Sequence, residues 1–157
     1  MSRARRSVIG LLALALAAGC TANEKEPTVT FEDAQQRVVA LVDDTLTAAL
    51  PTLQLSQPAR VGRQPCNDAL GAPSQDVSLY FERAFPIDGP KAERLLADTE
   101  RTWRGRGYVV ERDDSAQQVS IRRVIVDDYT MALYVNRTDK QASLGVSSPC
   151  VQPPSGS

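Results

Sequence analysis

The run of short alternating segments after residue 107 is what most constrains the fold of this chain. Tyr129 to Asn136 places Tyr129, Met131, Leu133 and Val135 on one side, with smaller or more polar residues between them. Alternation of period two over such a length marks a half-buried strand. Gln118 to Val126 precedes it, and Ala142, Leu144 and Val146 follow, with Asp127-Asp128 and Thr138-Asp139-Lys140 as tight turns. Tyr108 to Arg112, closed by a turn at Asp113-Asp114-Ser115, completes a series of four strands. Strands joined by such short turns must run antiparallel, because a parallel pair needs a crossover of a dozen or more residues.

Two helical patterns lie upstream. Thr30 is a capping residue, Glu32 and Asp33 suit the positive end of a first turn, and Ala34, Val38, Leu41, Val42, Thr45 and Ala49 follow at helical spacing. Pro51 stops this helix, expected over Phe31 to Leu50. Val77 to Phe85 alternates as a strand, and Asp88-Gly89-Pro90 then opens a second helix. Its core-facing stripe is Ala92, Leu95, Leu96, Thr99 and Trp103, and Gly105 or Gly107 can end it.

The expected element order is therefore α-β-α-β-β-β-β. It predicts an α+β fold, a two-layer sandwich of a mainly antiparallel sheet of about five strands with two helices on one face. The first strand, the second helix and the next strand could form one parallel crossover, right-handed if so. Residues 51–76 carry four prolines and two glycines and read as a long connection, either a binding loop or one merely stapled in place. Arg122-Arg123 interrupts an apolar run. Neighbouring strand residues face opposite ways, so one of the two points toward the helices unless a bulge intervenes, with Glu82 or Glu111 available as a partner.

The first twenty residues carry a different message. Arg3, Arg5 and Arg6 precede an apolar run from Val8 to Ala18, eleven residues where a membrane span needs about 20. A positive start and a short apolar run are the features of a secretory signal. The run ends in Ala17-Ala18-Gly19-Cys20, which resembles the lipobox of bacterial lipoproteins, with Ala17 standing where that family most often has Leu. The resemblance implies removal of residues 1–19 and acylation of Cys20 as the new N-terminus. Arg5-Arg6-Ser7-Val8-Ile9 also resembles a twin-arginine signal, but Ala4 stands where that motif usually has Ser or Thr, which favours a general secretory signal.

On this reading residues 20–29 are the lipidated cysteine and its tether, 30–150 a single domain and 151–157 a disordered tail. Removing the signal takes three of the 18 basic residues and none of the 19 acidic ones, leaving a formal charge of −4. That balance gives no electrostatic case for nucleic acid. Cys66 and Cys150 remain as an even pair in an exported chain, which predicts a disulfide.

The chain has no histidine, which removes Ser-His and Cys-His pairs, histidine metal sites and imidazole proton shuttles. Zinc is further disfavoured by two cysteines far apart, and no P-loop or GxGxxG occurs. Asp113-Asp114 and Asp127-Asp128 are expected in turns, where Asp bonds its own backbone. Arg101, Arg104 and Arg106 cluster at the end of the second helix, complementing its dipole or facing anionic lipid headgroups. Trp103 followed by Gly107-Tyr108 resembles the helix–strand junction of small α+β lipoproteins of high-GC Gram-positive bacteria, a likeness of layout that implies no activity.

These features predict a lipid-anchored domain on the extracytoplasmic face of the cell membrane, without cofactor, metal or catalytic residues. It would bind a protein or another envelope component. The other reading is a carrier of an apolar ligand or lipid in a cavity between sheet and helices.

Overall fold

The computed structural model describes residues 29–154 apart from 54, 56 and 69. Cys20 and the segment 1–28 lie outside the described residues, as do residues 155–157. Among the described residues two helices and six strands follow one another as α1 (Phe31–Ala49), β1 (Arg60–Asn67), β2 (Pro73–Pro86), α2 (Gly89–Gly105), β3 (Glu111–Ala116), β4 (Val119–Val126), β5 (Tyr129–Asn136) and β6 (Gln141–Val151). The strands make one open sheet in the order β1-β2-β6-β5-β4-β3, with every neighbouring pair antiparallel. The architecture is α+β, and both helices pack on the same face of the sheet.

Local chemistry sets the helix limits. The Thr30 hydroxyl accepts the Asp33 amide at 3.1 Å, satisfying one of the unpaired donors of the first turn. Helix α2 ends because Gly107 takes a left-handed conformation at φ +84°. Its amide then donates to the Arg104 carbonyl and the Tyr108 amide to that of Trp103, at 2.9 and 3.0 Å, which is a Schellman closure. Asp127 and Asp128, both at positive φ, form the two-residue link between β4 and β5, a turn whose twist matches that of the strands it joins.

The core lies between sheet and helices. Trp103, Leu95 and Ala92 of α2 and Val38, Val42 and Thr45 of α1 are fully buried, against Phe85, Met131, Leu133 and Leu144 of the sheet. Fully burying one large aliphatic or aromatic side chain stabilises the fold by about 1.5–3 kcal/mol, so this layer dominates the energetics.

Three expectations change. Residues 51–76 are not one connection, because β1 lies within them and raises the strand count to six. All but two residues of β1 are exposed, so it has no buried alternation to betray it. It exists through backbone pairing with β2, and Pro65 is tolerated because β1 is an edge strand. Next, β2 and β3 run in the same direction but are separated by β6, β5 and β4, so α2 connects them without a parallel pair. Finally, β3 begins at Glu111 rather than Tyr108 and turns at Gln117-Gln118. Asp113-Asp114 is therefore part of a strand, held by the pairing of Asp113 with Ile121.

Candidate binding face

Alternation gives the sheet two unlike faces. Residues 79, 81 and 85 of β2, 129–135 of β5 at odd positions and 142–148 of β6 at even positions are buried under the helices. The intervening residues form a face that neither α1 nor α2, the helices among the described residues, covers. Its strand registers align into rows. The central row reads Arg60, Glu82, Gly145, Ala132, Arg123, Glu111, one residue per strand from edge to edge.

The two ends of that row are ion pairs, Arg60 with Glu82 at 3.8 Å and Arg123 with Glu111 at 3.7 Å. Its middle is the smallest pair on the face. On one side runs a row of Gly62, Tyr80, Ser147, Thr130 and Ile125, and on the other a row of Ala84, Ser143, Tyr134, Ile121 and Asp113. Small residues between long ones leave a groove of about 640 Å³, lined by Tyr80, Glu82, Arg60, Arg123 and Tyr134 among others. Tyr80 lies flat across Gly62: a Cβ on that glycine would sit 2.2 Å from the Tyr80 ring. Only a glycine on β1 lets the ring fold down there. Ile125 is 63% exposed and Tyr134 39%, both on this face.

The basic cluster at the end of α2 is assembled differently. Arg101 binds Asp98 at 2.6 Å, Arg104 binds Glu100 at 2.8 Å, and Arg106 reaches across to Asp44 of α1 at 2.6 Å. Each of the three guanidinium groups therefore has a carboxylate partner within the fold. Glu100, on the stripe of α2 that faces the sheet, is buried and also takes hydrogen bonds from Arg112 of β3. These bonds, with the charges of Arg104, Arg112 and Arg122, hold its carboxyl below the usual range against the opposing effect of burial.

The inward member of Arg122-Arg123 is Arg122, which faces Glu100 at 3.4 Å and donates to Asp114 at 2.8 Å. Arg123 points to the open face and meets Glu111. Asp114 is held low first by its hydrogen bond from Arg122, and Asp113 by bonds from Ser115. Both carboxylates therefore stay ionised at neutral pH and have no proton to donate there. Cys66 and Cys150 form a disulfide, with Cα atoms 6.2 Å apart. Among the described residues no group of three or more acidic or cysteine side chains is arranged to hold a metal ion. No described helix is long and apolar enough to cross a membrane.

Sequence reasoning located the bridge and required one inward arginine of the pair 122–123 without choosing it, but overlooked the open face. The signal lay in the other half of each alternating strand, where Thr130, Ala132 and Tyr134 on β5 stand beside Ser143, Gly145 and Ser147 on β6.

No family model matches the chain, and no curated protein matches it. Among solved structures it is similar to the crystal structure of a DUF4853 family protein from Actinomyces odontolyticus, with a TM-score of 0.48 and 12% identity. That alignment covers 82% of this chain and 73% of the other.

Proposed function

We propose that this chain is an exported, lipid-anchored envelope domain that works by binding, and that it binds through the face of its sheet turned away from α1 and α2. The observation that carries the reading is the asymmetry of the sheet. One face is sealed by α1 and α2, and the other presents a groove of about 640 Å³ walled by Tyr80, Tyr134 and two ion pairs. Tyrosine and arginine at such a surface supply large contact area and directional donors, the residue types that dominate binding energy at interfaces.

The anchor rests on the Ala17-Ala18-Gly19-Cys20 motif. From Cys20 to Val29 the chain can span about 30 Å at ~3.3 Å per residue, so the domain would work close to the bilayer.

Two measurements test this. Cys20→Ala is expected to move the exported chain from the membrane fraction to the soluble one. A photo-crosslinking residue at position 143, in the floor of the groove, is expected to give an adduct in intact cells that the same residue at position 35, on the outer side of α1, does not. Equal labelling at both positions, or none at 143, would remove the open face as the binding surface.

A further inference from the structure

We propose that the occupant of the open face is a second copy of this chain, docked about a two-fold axis that runs along the strands between β6 and β5. This rests on the open-face reading above and names its partner.

Charge carries the first argument. From edge to edge the central row is positive, negative, neutral, neutral, positive, negative: Arg60, Glu82, Gly145, Ala132, Arg123, Glu111. A two-fold axis along the strands reverses the row in the facing copy. Arg60 then meets the second copy's Glu111, Glu82 meets its Arg123, and Gly145 meets its Ala132. Every charge faces its opposite. A two-fold axis across the strands would instead set each charge against itself, which is unfavourable at a closing surface.

Shape follows the same operator. In one flanking row it sets Tyr80 opposite the second copy's Ile125, and in the other Tyr134 opposite Ser143 and Ile121 opposite Ala84. In the second row long side chains enter the space left by short ones, and in the first Tyr80, folded down over Gly62, meets Ile125 as an aromatic–aliphatic contact. Sheet twist does not open the gap, because a uniformly twisted sheet maps onto the same saddle when turned about an axis along its strands.

The place where the tether joins the domain is an independent reason for this axis. Phe31 and Ala34 at the start of α1 pack on Leu79 and Val151, and Arg37 binds Asp127 in the β4–β5 turn at 3.0 Å. The tether therefore meets the domain at one end of the sheet, the end to which β6 runs. An axis along the strands puts the two tether junctions at the same end of the pair, so two lipid anchors could reach one bilayer. An axis across the strands would put them at opposite ends.

Six strands at ~4.8 Å spacing and some six residues of length at ~3.4 Å give each copy roughly 500 Å² of projected face. The total of about 1,000 Å² is at the lower bound for a specific interface, so confinement of both copies to one membrane would contribute through effective concentration.

The test uses full-length chains with two different affinity tags, solubilised from membranes in mild detergent, and reads co-purification of one tag with the other. Wild-type copies are expected to co-purify. Glu82→Arg on both copies, or Arg123→Glu on both, creates two like-charge meetings and should reduce the yield at least tenfold. Pairing a Glu82→Arg copy with an Arg123→Glu copy makes every meeting opposite again and should restore the yield to within twofold of wild type.

A purely structural role would not show this rescue, since each copy still carries its own broken internal ion pair. Retention of the disulfide, by thiol labelling, checks that the variants fold. Failure of wild-type copies to co-purify, or loss without rescue on mixing, overturns the proposal. A position-143 adduct with a different protein then leaves the open-face reading standing, whereas no adduct removes both.

Discussion

Arg122 and Glu100 face each other at 3.4 Å where α2 crosses β4, each with only a tenth of its side chain exposed. Burying two charges is costly, and the fold offsets the cost by surrounding them: Glu100 is also met by Arg104 and Arg112, and Arg122 by Asp114. The Nε of Arg122 makes no hydrogen bond of good geometry, so its hold on Glu100 is a charge contact. The cluster ties the end of α2 to β3 through Arg112 and to β4 through Arg122.

Glu100→Ala should therefore destabilise the domain strongly, by about 3 kcal/mol, because Arg122 stays buried with Asp114 as its remaining counter-charge. Replacing both members, as Glu100→Ala with Arg122→Met, should cost less than Glu100→Ala alone, since it removes the stranded charge. Denaturant unfolding of wild type, both single variants and the double variant gives the cycle. A double variant no more stable than Glu100→Ala would show that Arg122 does not depend on this carboxylate.

The same cluster sets an acid limit. Glu100 and Asp114 both have carboxyls depressed in the folded state, Glu100 chiefly by its hydrogen bond with Arg112 and Asp114 chiefly by that with Arg122. A depressed carboxyl contributes stability that is complete above its unfolded value and is lost as pH falls through the folded one. Stability should decline as pH drops below the ordinary carboxylate range, with no matching effect from these groups on the alkaline side. Glu100→Gln should start lower at neutral pH and decline less steeply. Unfolding midpoints measured at descending pH check this, and parallel curves for the two proteins would count against it.

How far the sequence could be read depended on whether burial or the backbone makes each element. Helix α2, its Gly107 stop and strand β5 were legible because apolar spacing and a glycine encode them directly. That one of Arg122 and Arg123 points inward followed from strand alternation, but that it is Arg122, and that its partner is Glu100 rather than Glu82 or Glu111, did not. Glu100 lies between Leu96 and Trp103 on the buried stripe, and a carboxylate there reads as an interruption until the facing strand is known. β1 was illegible because its mostly exposed residues carry no pattern, and only the register with β2 makes them a strand. The open face escaped for a related reason: its central row joins one residue from each of six strands, and no local window contains it.

Thr45 joins three elements, and its replacement should be felt in all of them. Its hydroxyl accepts the indole N–H of Trp103 at 3.2 Å and lies 3.6 Å from the sulfur of Met131. Thr45→Val keeps the volume but leaves a buried donor without a partner, at a cost of about 1–3 kcal/mol. Thr45→Ser keeps the hydroxyl and loses one methyl, worth about 0.8 kcal/mol. Urea unfolding followed by fluorescence of Trp103, the single tryptophan, should rank wild type above Thr45→Ser and Thr45→Val last. If serine proves worse than valine, packing rather than the hydrogen bond governs the site.

The disulfide bridges strands that are not neighbours. Cys66 of β1 and Cys150 of β6 lie on opposite sides of β2, and strands two apart are ordinarily about 9.6 Å from each other. Register shifts in both pairings, beside Cys66 and between Cys150 and Ser147, accompany an approach of the Cα atoms to 6.2 Å. The closed loop spans a sequence separation of 84, for which the chain-entropy model gives about 4–5 kcal/mol of stabilisation. Cys66→Ser with Cys150→Ser should lower the unfolding free energy by an amount approaching that figure, read as a lower unfolding midpoint. Because β1 has little buried surface of its own, its amides should also lose hydrogen-exchange protection before those of β5, which lies under the helices. An unchanged midpoint, with both cysteines alkylated before any reductant is added, would mean that the chain carries free thiols at these positions.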